Sequence, residues 1–341
     1  MYTRGPSSVK FRHPDRLEES MLSVAGRRLR AWLSPHHPMS AALCRIKTLA
    51  TDRILPDINV VSKDTVTCTH VFRPWDFENY KLEKVPVGNI ARQMPMISYL
   101  VGQRYYLQPP EESKKEPDLK LIFIRGQRYE FLPAYYRHLA PGKRTTVTEK
   151  LCSLGNTSWV TMEEIRDYST NDVMARCIIQ GVNVDDTTRR PEPLPDWFKE
   201  RYSYLTSSVP RPPTVQPFDV PKSTKFFRYS EVVPPRDTDT YNHTTLSSYI
   251  WYGMDCATLG ARSKAYSVIR GDIDKYDLKM LEVLYQKEST EGDVLDVESW
   301  EDQGSPDTLR FQVKKGDENI TQLTMQFYLP TVSDAICFIL L

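Results

Sequence analysis

The sequence predicts an α+β protein built from two similar units that follow one another along the chain. In each unit an extended apolar segment leads to a segment with helical spacing of apolar residues, and several strand-like runs follow. The pattern occupies residues 63–200 and returns in residues 225–331, and the stretch between them, 201–224, is rich in proline. Because a pattern that recurs along a chain indicates a repeated structural unit, we expect two units, each with a long helix and an antiparallel sheet.

The composition excludes several classes of function. The chain has 341 residues with 45 Lys and Arg against 44 Asp and Glu, so its near-zero net charge gives no case for nucleic-acid binding. No apolar run approaches the roughly 18 residues of a membrane-spanning helix, and we expect no integral membrane segment. The six cysteines include no Cys-x-x-Cys pair, which argues against a zinc site or a disulfide framework and favours a reducing compartment. We expect neither a metal nor a cofactor.

The two ends of the chain differ from its middle. Residues 1–62 are basic, and Ala25 to Leu33 has the spacing of a basic amphipathic helix. This segment is either a mitochondrial targeting segment or a weakly ordered arm, and the acids Asp15 and Glu18 count against targeting. The predicted compartment is therefore cytoplasmic or mitochondrial. Residues 332–341 form an apolar tail that is too short to span a membrane.

The first unit opens with a strand-like run from Thr65 to Phe72, rich in β-branched residues. Apolar residues at helical spacing run from Ile90 to Tyr105, and Pro95 predicts a kink or a late helix start. Residues 109–118 have the composition of a surface loop. Five strand-like runs follow, separated mainly by turn residues: Leu119 to Arg125, Tyr129 to Tyr136, Thr145 to Leu154, Ser158 to Asp167 and Val173 to Val184.

The second unit repeats this order after the proline-rich linker, which its prolines should keep extended. A strand-like run covers Phe226 to Val233, and helical spacing covers Leu246 to Leu259. The strand-like runs that follow are Lys279 to Lys287, Val294 to Glu301, Thr308 to Lys314 and Thr321 to Leu329.

The junction between the strand and the helix of the second unit carries the residues best suited to chemistry. Asp237, Asp239 and His243 lie there, next to a predicted helix start whose free N–H groups can hold a developing negative charge. A carboxylate beside an imidazole can move protons. The alternative is that the Asp and Thr residues here only form a turn and cap the helix.

The spacing of this junction resembles a signature of the plant acyl-ACP thioesterases, Asp-Leu-Asp-x-Asn-x-His-Val-Asn-Asn-x-x-Tyr. Asp237, Asp239, His243 and Tyr249 match it. Tyr241 stands where the family has a functional Asn, and Thr245 and Leu246 stand where it has an Asn-Asn pair.

Two further segments are similar to the same family. Thr188, Arg189, Arg190, Leu194 and Pro195 match the segment that closes its first unit. The run Leu284-Tyr-Gln-Lys-Glu-Ser289 matches a strand that reads Glu-Tyr-Arg-Arg-Glu-Cys, with Glu288 at the functional Glu and Ser289 in place of the Cys.

The resemblance, which covers about residues 63–330, implies two tandem hotdog domains packed as a pseudo-dimer, each with a long helix wrapped by an antiparallel sheet. It implies an acyl thioester hydrolase of lipid metabolism and fatty acid biosynthesis, acting on acyl-ACP or acyl-CoA and releasing a free fatty acid. The expected partners are therefore acyl carrier protein or coenzyme A thioesters, and a homodimer is possible. The acyl chain length stays open.

The site that this implies is formed by residues of the second unit. Asp239 or Glu288 would orient or deprotonate the attacking water, and the other carboxylate would fix the tautomer of His243. The family's Asn would be replaced by the phenol of Tyr241, or by Asn242 if the junction bulges by one residue. Asp237 is expected to be structural. Thr244, Tyr249 and Ser289 are the predicted substrate-binding residues.

Two other interpretations compete with the enzyme. One is a protein that keeps the fold and binds acyl chains or acyl carrier protein but has lost catalysis, which the departures at Tyr241, Thr245 and Ser289 favour. The other is a structural partner in a larger assembly.

Overall fold

A computed structural model describes residues 57–73, 87–107, 119, 121–206, 211–221 and 224–329. The expected leader up to residue 56, the expected surface loop 109–118, and the expected tail 332–341 lie outside the described residues. All of the described residues belong to one compact unit. Of the segment expected as a leader, Asn59–Ser62 forms a strand that pairs with the next strand of the sheet.

Within the described residues, eleven strands form one sheet in which every neighbouring pair is antiparallel. The first six are β1 Asn59–Ser62, β2 Thr65–Val71, β3 Leu121–Phe131, β4 Arg144–Leu154, β5 Ser158–Asp167 and β6 Val173–Val184. The last five are β7 Phe227–Val232, β8 Asp277–Tyr285, β9 Val294–Asp302, β10 Ser305–Lys315 and β11 Glu318–Tyr328. We call residues 57–206 the N-terminal half and residues 224–329 the C-terminal half.

The order of strands is β1-β2-β4-β5-β6-β3-β8-β11-β10-β9-β7. Apart from β1, the strands of the N-terminal half run from the outer edge to the joint in the order β2, β4, β5, β6, β3. The strands of the C-terminal half run from the other edge to the joint in the order β7, β9, β10, β11, β8. In both halves the first strand is therefore at the edge and the second strand is at the joint. The halves join through the pairing of β3 with β8, in which Gln127 lies opposite Val283 and Tyr129 opposite Leu281. Pairing two sheets in this way leaves neither half with an open edge at the joint.

In the part of the chain that the structure describes, two long helices accompany the sheet: α1 is Val87–Tyr105 and precedes β3, whereas α4 is Leu246–Arg262 and precedes β8. Pro95 lies inside α1, eight residues after its start. A proline has no N–H to donate to the carbonyl four residues earlier, here that of Ala91. The hydroxyl of Tyr129 donates to this carbonyl over 3.1 Å, so the strand supplies the hydrogen bond that the helix lacks.

The long helices of the two halves touch each other. The contact is close at Gly88 in the first turn of α1, where an added Cβ would lie 2.3 Å from the indole of Trp251 in α4. Only glycine allows this approach without a shift of the indole.

One part of the predicted strand pattern is wrong. The runs Leu119 to Arg125 and Tyr129 to Tyr136 were expected as two strands, but β3 is a single strand that ends at Phe131. Its pairing with β6 shifts register between Ile124 and Gly126, so the glycine marks a bulge and not a turn. The later residues form the short helix α2, Pro133–His138, because proline is suited to the first turn of a helix.

The shorter elements are the helix α3, Asp196–Arg201, and the 3₁₀ turns Ser203–Leu205, Pro235–Asp237 and Ile273–Lys275. The linker then crosses to the C-terminal half, where the backbone N–H and carbonyl of Phe218 bond the side-chain amide of Gln322. Its Phe218 ring also packs edge-on against Trp300. Within the ranges given above, no helix is long and apolar enough to cross a membrane.

Candidate functional site

The loop between β7 and α4 is folded around the carboxylate of Asp239. Its Oδ1 accepts the backbone N–H groups of Tyr241 (2.8 Å) and His243 (3.0 Å), and its own N–H donates to the carbonyl of His243 (2.8 Å). Asn242 completes the turn with φ of +62°, a left-handed conformation that asparagine tolerates. Asp239 therefore fixes the backbone that carries His243.

A second set of backbone contacts fastens this loop to the segment that follows β8. His243 forms an isolated antiparallel bridge with Thr290, and the N–H of Thr244 donates to the carbonyl of Ser289 over 2.8 Å. Residues 45 or more positions apart in the chain are thus held side by side.

These contacts bring the imidazole of His243 and the carboxylate of Glu288 together. His243 Nε2 lies 3.1 Å from Glu288 Oε2, and the two side chains are 20% and 43% exposed. If Nε2 carries the proton and donates it to Glu288, the lone pair of the neutral ring is on Nδ1. The pair is therefore a solvent-accessible unit that can accept a proton from water.

The predicted substrate-binding residues also come together, but beneath the surface. The hydroxyl of Ser289 lies 2.6 Å from Thr244 Oγ1 and 2.8 Å from the hydroxyl of Tyr249, and Ser289 has no exposed surface. Burial raises the pKa of the Tyr249 phenol. The cluster braces the start of α4 against the segment that follows β8. With hydroxyls as its hydrogen-bond partners, Ser289 has no base beside it to make it a nucleophile.

The remaining predicted residues lie on the rim of the loop. Tyr241 is 63% exposed, and its ring centroid is 6.4 Å from that of His243 with the planes 25° apart. Asn242 is also exposed, with its side chain outside the buried cluster. Asp237 lies farther back, where its Oδ2 accepts the hydroxyl of Tyr252 (2.7 Å) and its carbonyl accepts the N–H of Thr245 (2.8 Å).

Two residues that were not among the predicted site residues connect the site with the joint between the halves. The hydroxyl of Tyr285, at the end of β8, lies 3.2 Å from the carbonyl of Leu246 at the start of α4 and 2.8 Å from Gln127 Oε1. Gln127 belongs to β3 and has no exposed surface. A glutamine at an inward position of a strand was the available signal, but only the β3–β8 pairing shows which site it approaches. No cluster of His, Cys, Asp and Glu suited to a metal ion occurs within the described ranges.

The fold is that of the acyl-ACP thioesterases, as the sequence resemblance predicted. A 12:0-ACP thioesterase from Umbellularia californica superposes with a TM-score of 0.60 at 14% identity, covering 79% of this chain and 99% of that one. An acyl-ACP thioesterase from Bacteroides thetaiotaomicron superposes with a TM-score of 0.57 at 13% identity, covering 79% and 100%. No protein-family model and no curated protein sequence matches the chain. At these identities the likeness is one of fold.

Proposed function

We propose that this protein is a thioester hydrolase made of two hotdog domains packed as a pseudo-dimer, which cleaves fatty acyl thioesters of acyl carrier protein or coenzyme A. The similarity of its fold to that of acyl-ACP thioesterases supports the assignment to the thioester hydrolases. The observation that carries the proposal is the contact between His243 Nε2 and Glu288 Oε2 at 3.1 Å, because it joins a general base to a carboxylate that orients it at the start of a helix.

In the mechanism that follows, Glu288 accepts a hydrogen bond from the Nε2–H of His243, so the lone pair on Nδ1 acts as the base. Nδ1 removes a proton from water, whose oxygen forms a bond to the thioester carbonyl carbon. The negative charge that develops on the carbonyl oxygen is stabilised by backbone N–H groups near the start of α4. When the intermediate collapses, the carbon–sulfur bond breaks and the thiolate takes the proton from His243. The products are a free fatty acid and a thiol.

Asp239 has a different role in this proposal from that of a base. Its Oδ1 already accepts two backbone N–H groups of the loop, one of them from His243. We therefore assign it as a positioning residue that holds the imidazole through the backbone. Tyr241 contacts the same imidazole from the exposed side.

The test is thiol release from acyl-CoA and acyl-ACP thioesters of medium and long chain length, using wild type, His243→Ala and Glu288→Gln. The matched control is Glu291→Gln, which changes another exposed glutamate three positions farther along. We expect both site variants to lose about 10²-fold or more in kcat/KM, and the control to keep the wild-type rate. A His243→Ala variant that hydrolyses as fast as wild type would refute the site.

The second candidate is a binding protein that holds acyl chains or acyl carrier protein without cleaving the thioester. The observation that favours it is Tyr241, which occupies the position of the family's functional Asn and lies on the exposed rim. Acyl-chain binding by the wild type with no thiol release from either carrier would support this candidate. The homodimer and the cytoplasmic or mitochondrial location stay predictions.

A further inference from the structure

A cavity of about 350 Å³ lies in the N-terminal half, apart from the candidate site. Its walls are formed by β4, β5, the turn between β1 and β2, the 3₁₀ turn Ser203–Leu205 and the linker. In the order of strands β4 is four positions from β8, which a spacing of about 4.8 Å between strands converts to roughly 19 Å. The volume falls within the range of small-molecule sites, roughly 300–1,000 Å³.

The cavity lies on the face of the sheet that is turned away from the long helix α1. Glu149 on β4 points to α1, because its Oε1 accepts the hydroxyl of Ser98 over 2.6 Å. Lys150 is the next residue of β4, so its side chain points to the other face, where it is paired with Met162 on β5. The linker crosses this face, and its Pro212 lines the cavity. The cavity is therefore separate from the interior that α1 covers.

The wall of the cavity is largely apolar, with side chains from the sheet, the 3₁₀ turn and the linker: Cys152, Met162, Leu205 and Pro212. Burial raises the pKa of the Cys152 thiol to about 11, so this thiol is uncharged at neutral pH and packs as a small apolar group. A ligand with an apolar body therefore gains affinity by covering this wall.

The polar part of the wall holds a carboxylate with both oxygens bonded and an ammonium without a bonded partner. Asp64 Oδ1 accepts the hydroxyls of Ser62 and Thr65. Its Oδ2 accepts the hydroxyl of Tyr204 over 2.7 Å. Lys150 interacts with Asp64 through its charge, and within the described ranges its ammonium forms no hydrogen bond or ion pair. The three donors of this ammonium are therefore free for an anion.

Two further cations lie beside the cavity. Lys63 Nζ is 4.1 Å from the centre of the Tyr204 ring, which forms part of the wall. Arg211 precedes Pro212 in the linker, and its guanidinium donates to the carbonyl of Leu154 over 3.4 Å. The positive charge around the cavity therefore favours a negatively charged ligand.

We propose that this cavity binds the anion of a medium-chain fatty acid, with its carboxylate on the Lys150 ammonium and its alkyl chain along Met162 and Leu205. The ammonium recognises the carboxylate, and the apolar wall recognises the chain. The proposal goes beyond the proposed function, because it requires no hydrolysis and no residue of the candidate site. The bound acid contacts the sheet, the 3₁₀ turn and the linker together, so it should raise the Tm of the protein.

The experiment titrates octanoate into wild type, Lys150→Met and Lys150→Arg by calorimetry, with octanol and acetate as probes that carry only the chain or only the charge. Wild type should bind octanoate more tightly than either probe. A hydrogen bond to a charged group corresponds to about tenfold or more in affinity, so Lys150→Met should bind octanoate at least tenfold more weakly. Lys150→Arg should keep the binding, because a guanidinium also pairs with a carboxylate.

The matched control is Lys314→Met, which changes a partly exposed lysine on β10 in the C-terminal half. It should bind octanoate as wild type does. The proposal is overturned if wild type binds octanol as tightly as octanoate, or if it does not bind octanoate. Undiminished binding of octanoate by Lys150→Met overturns it as well.

The variant His243→Ala separates this cavity from the candidate site, where a fatty acid is the product of the proposed reaction. Octanoate binding that persists in His243→Ala and weakens in Lys150→Met upholds the cavity. A loss confined to His243→Ala places the acid at the candidate site and overturns the proposal. Thiol release by wild type tests the proposed function alone, because the cavity can bind an acid whether or not the protein hydrolyses thioesters.

Discussion

The interiors of the two halves differ although their strands are arranged in the same order. In the C-terminal half the paired residues at the middle of the face toward α4 are uncharged, with Val297 paired to Val313 and Phe311 paired to Leu323. The polar Ser299 among them is bonded to Cys256 and Tyr266 of the covering segment. In the N-terminal half the equivalent face holds the buried carboxyl groups of Glu149 and Glu163, which are direct cross-strand partners. The difference teaches that one half packs neutral side chains against its long helix, whereas the other buries two neighbouring carboxyl groups, whose charge burial opposes.

The largest effect expected from this difference is on stability as a function of pH. The pKa of Glu163 is raised in the folded protein by burial and by Glu149, so the folded protein holds a proton that the unfolded chain releases. The associated stability is complete below the unfolded pKa of about 4.3 and is lost as the pH rises towards the folded pKa, by about 1.4 kcal/mol per pH unit. Glu163→Gln should flatten this decline in urea unfolding from acid to neutral pH.

The C-terminal half offers the matched control, Glu298→Gln. Glu298 on β9 is nearly as buried as Glu163, but it is bonded to Arg228 and to Gln312. Its replacement removes an ion pair and should lower the free energy of unfolding. If both variants shift stability in the same direction at neutral pH, the contrast between the two interiors is refuted.

An intermediate effect is expected where the helices of the two halves meet. Gly88→Ala in α1 places a Cβ 2.3 Å from the rigid indole of Trp251, and overpacking of this kind costs about 1–3 kcal/mol. In α4, Gly253→Ala meets the flexible end of Met325 at 3.1 Å and also gains helix propensity of up to about 1 kcal/mol. Thermal unfolding should therefore separate the two variants, with Gly88→Ala the less stable. Equal stabilities would show that the indole moves freely.

Most strands could be predicted from the sequence, because apolar and polar residues alternate along them and turn residues lie at their ends. The expected Ser158 to Asp167 and Val173 to Val184 coincide with β5 and β6. The single strand β3 could not be predicted, because a glycine such as Gly126 occurs both at bulges within a strand and at turns between strands. The loop of the candidate site was recognisable from its spacing. The Glu149–Glu163 pair was not, because an inward glutamate is identified only once strand register and the covering helix are known.

The smallest effect expected concerns Asp239, and it sharpens the contrast between carboxyl groups buried inside the N-terminal half and a carboxylate at the site that holds backbone N–H groups. Asp239→Ala removes the acceptor of two backbone N–H groups, which should cost about 1 kcal/mol of stability and about tenfold in kcat/KM through misplacement of His243. Asp239→Asn keeps an acceptor oxygen at the same place, so it should restore both quantities. A general base would behave differently, because an amide cannot take a proton from water. If Asp239→Asn is as stable as wild type but as inactive as Asp239→Ala, Asp239 is the general base. His243 would then be the group that Asp239 orients.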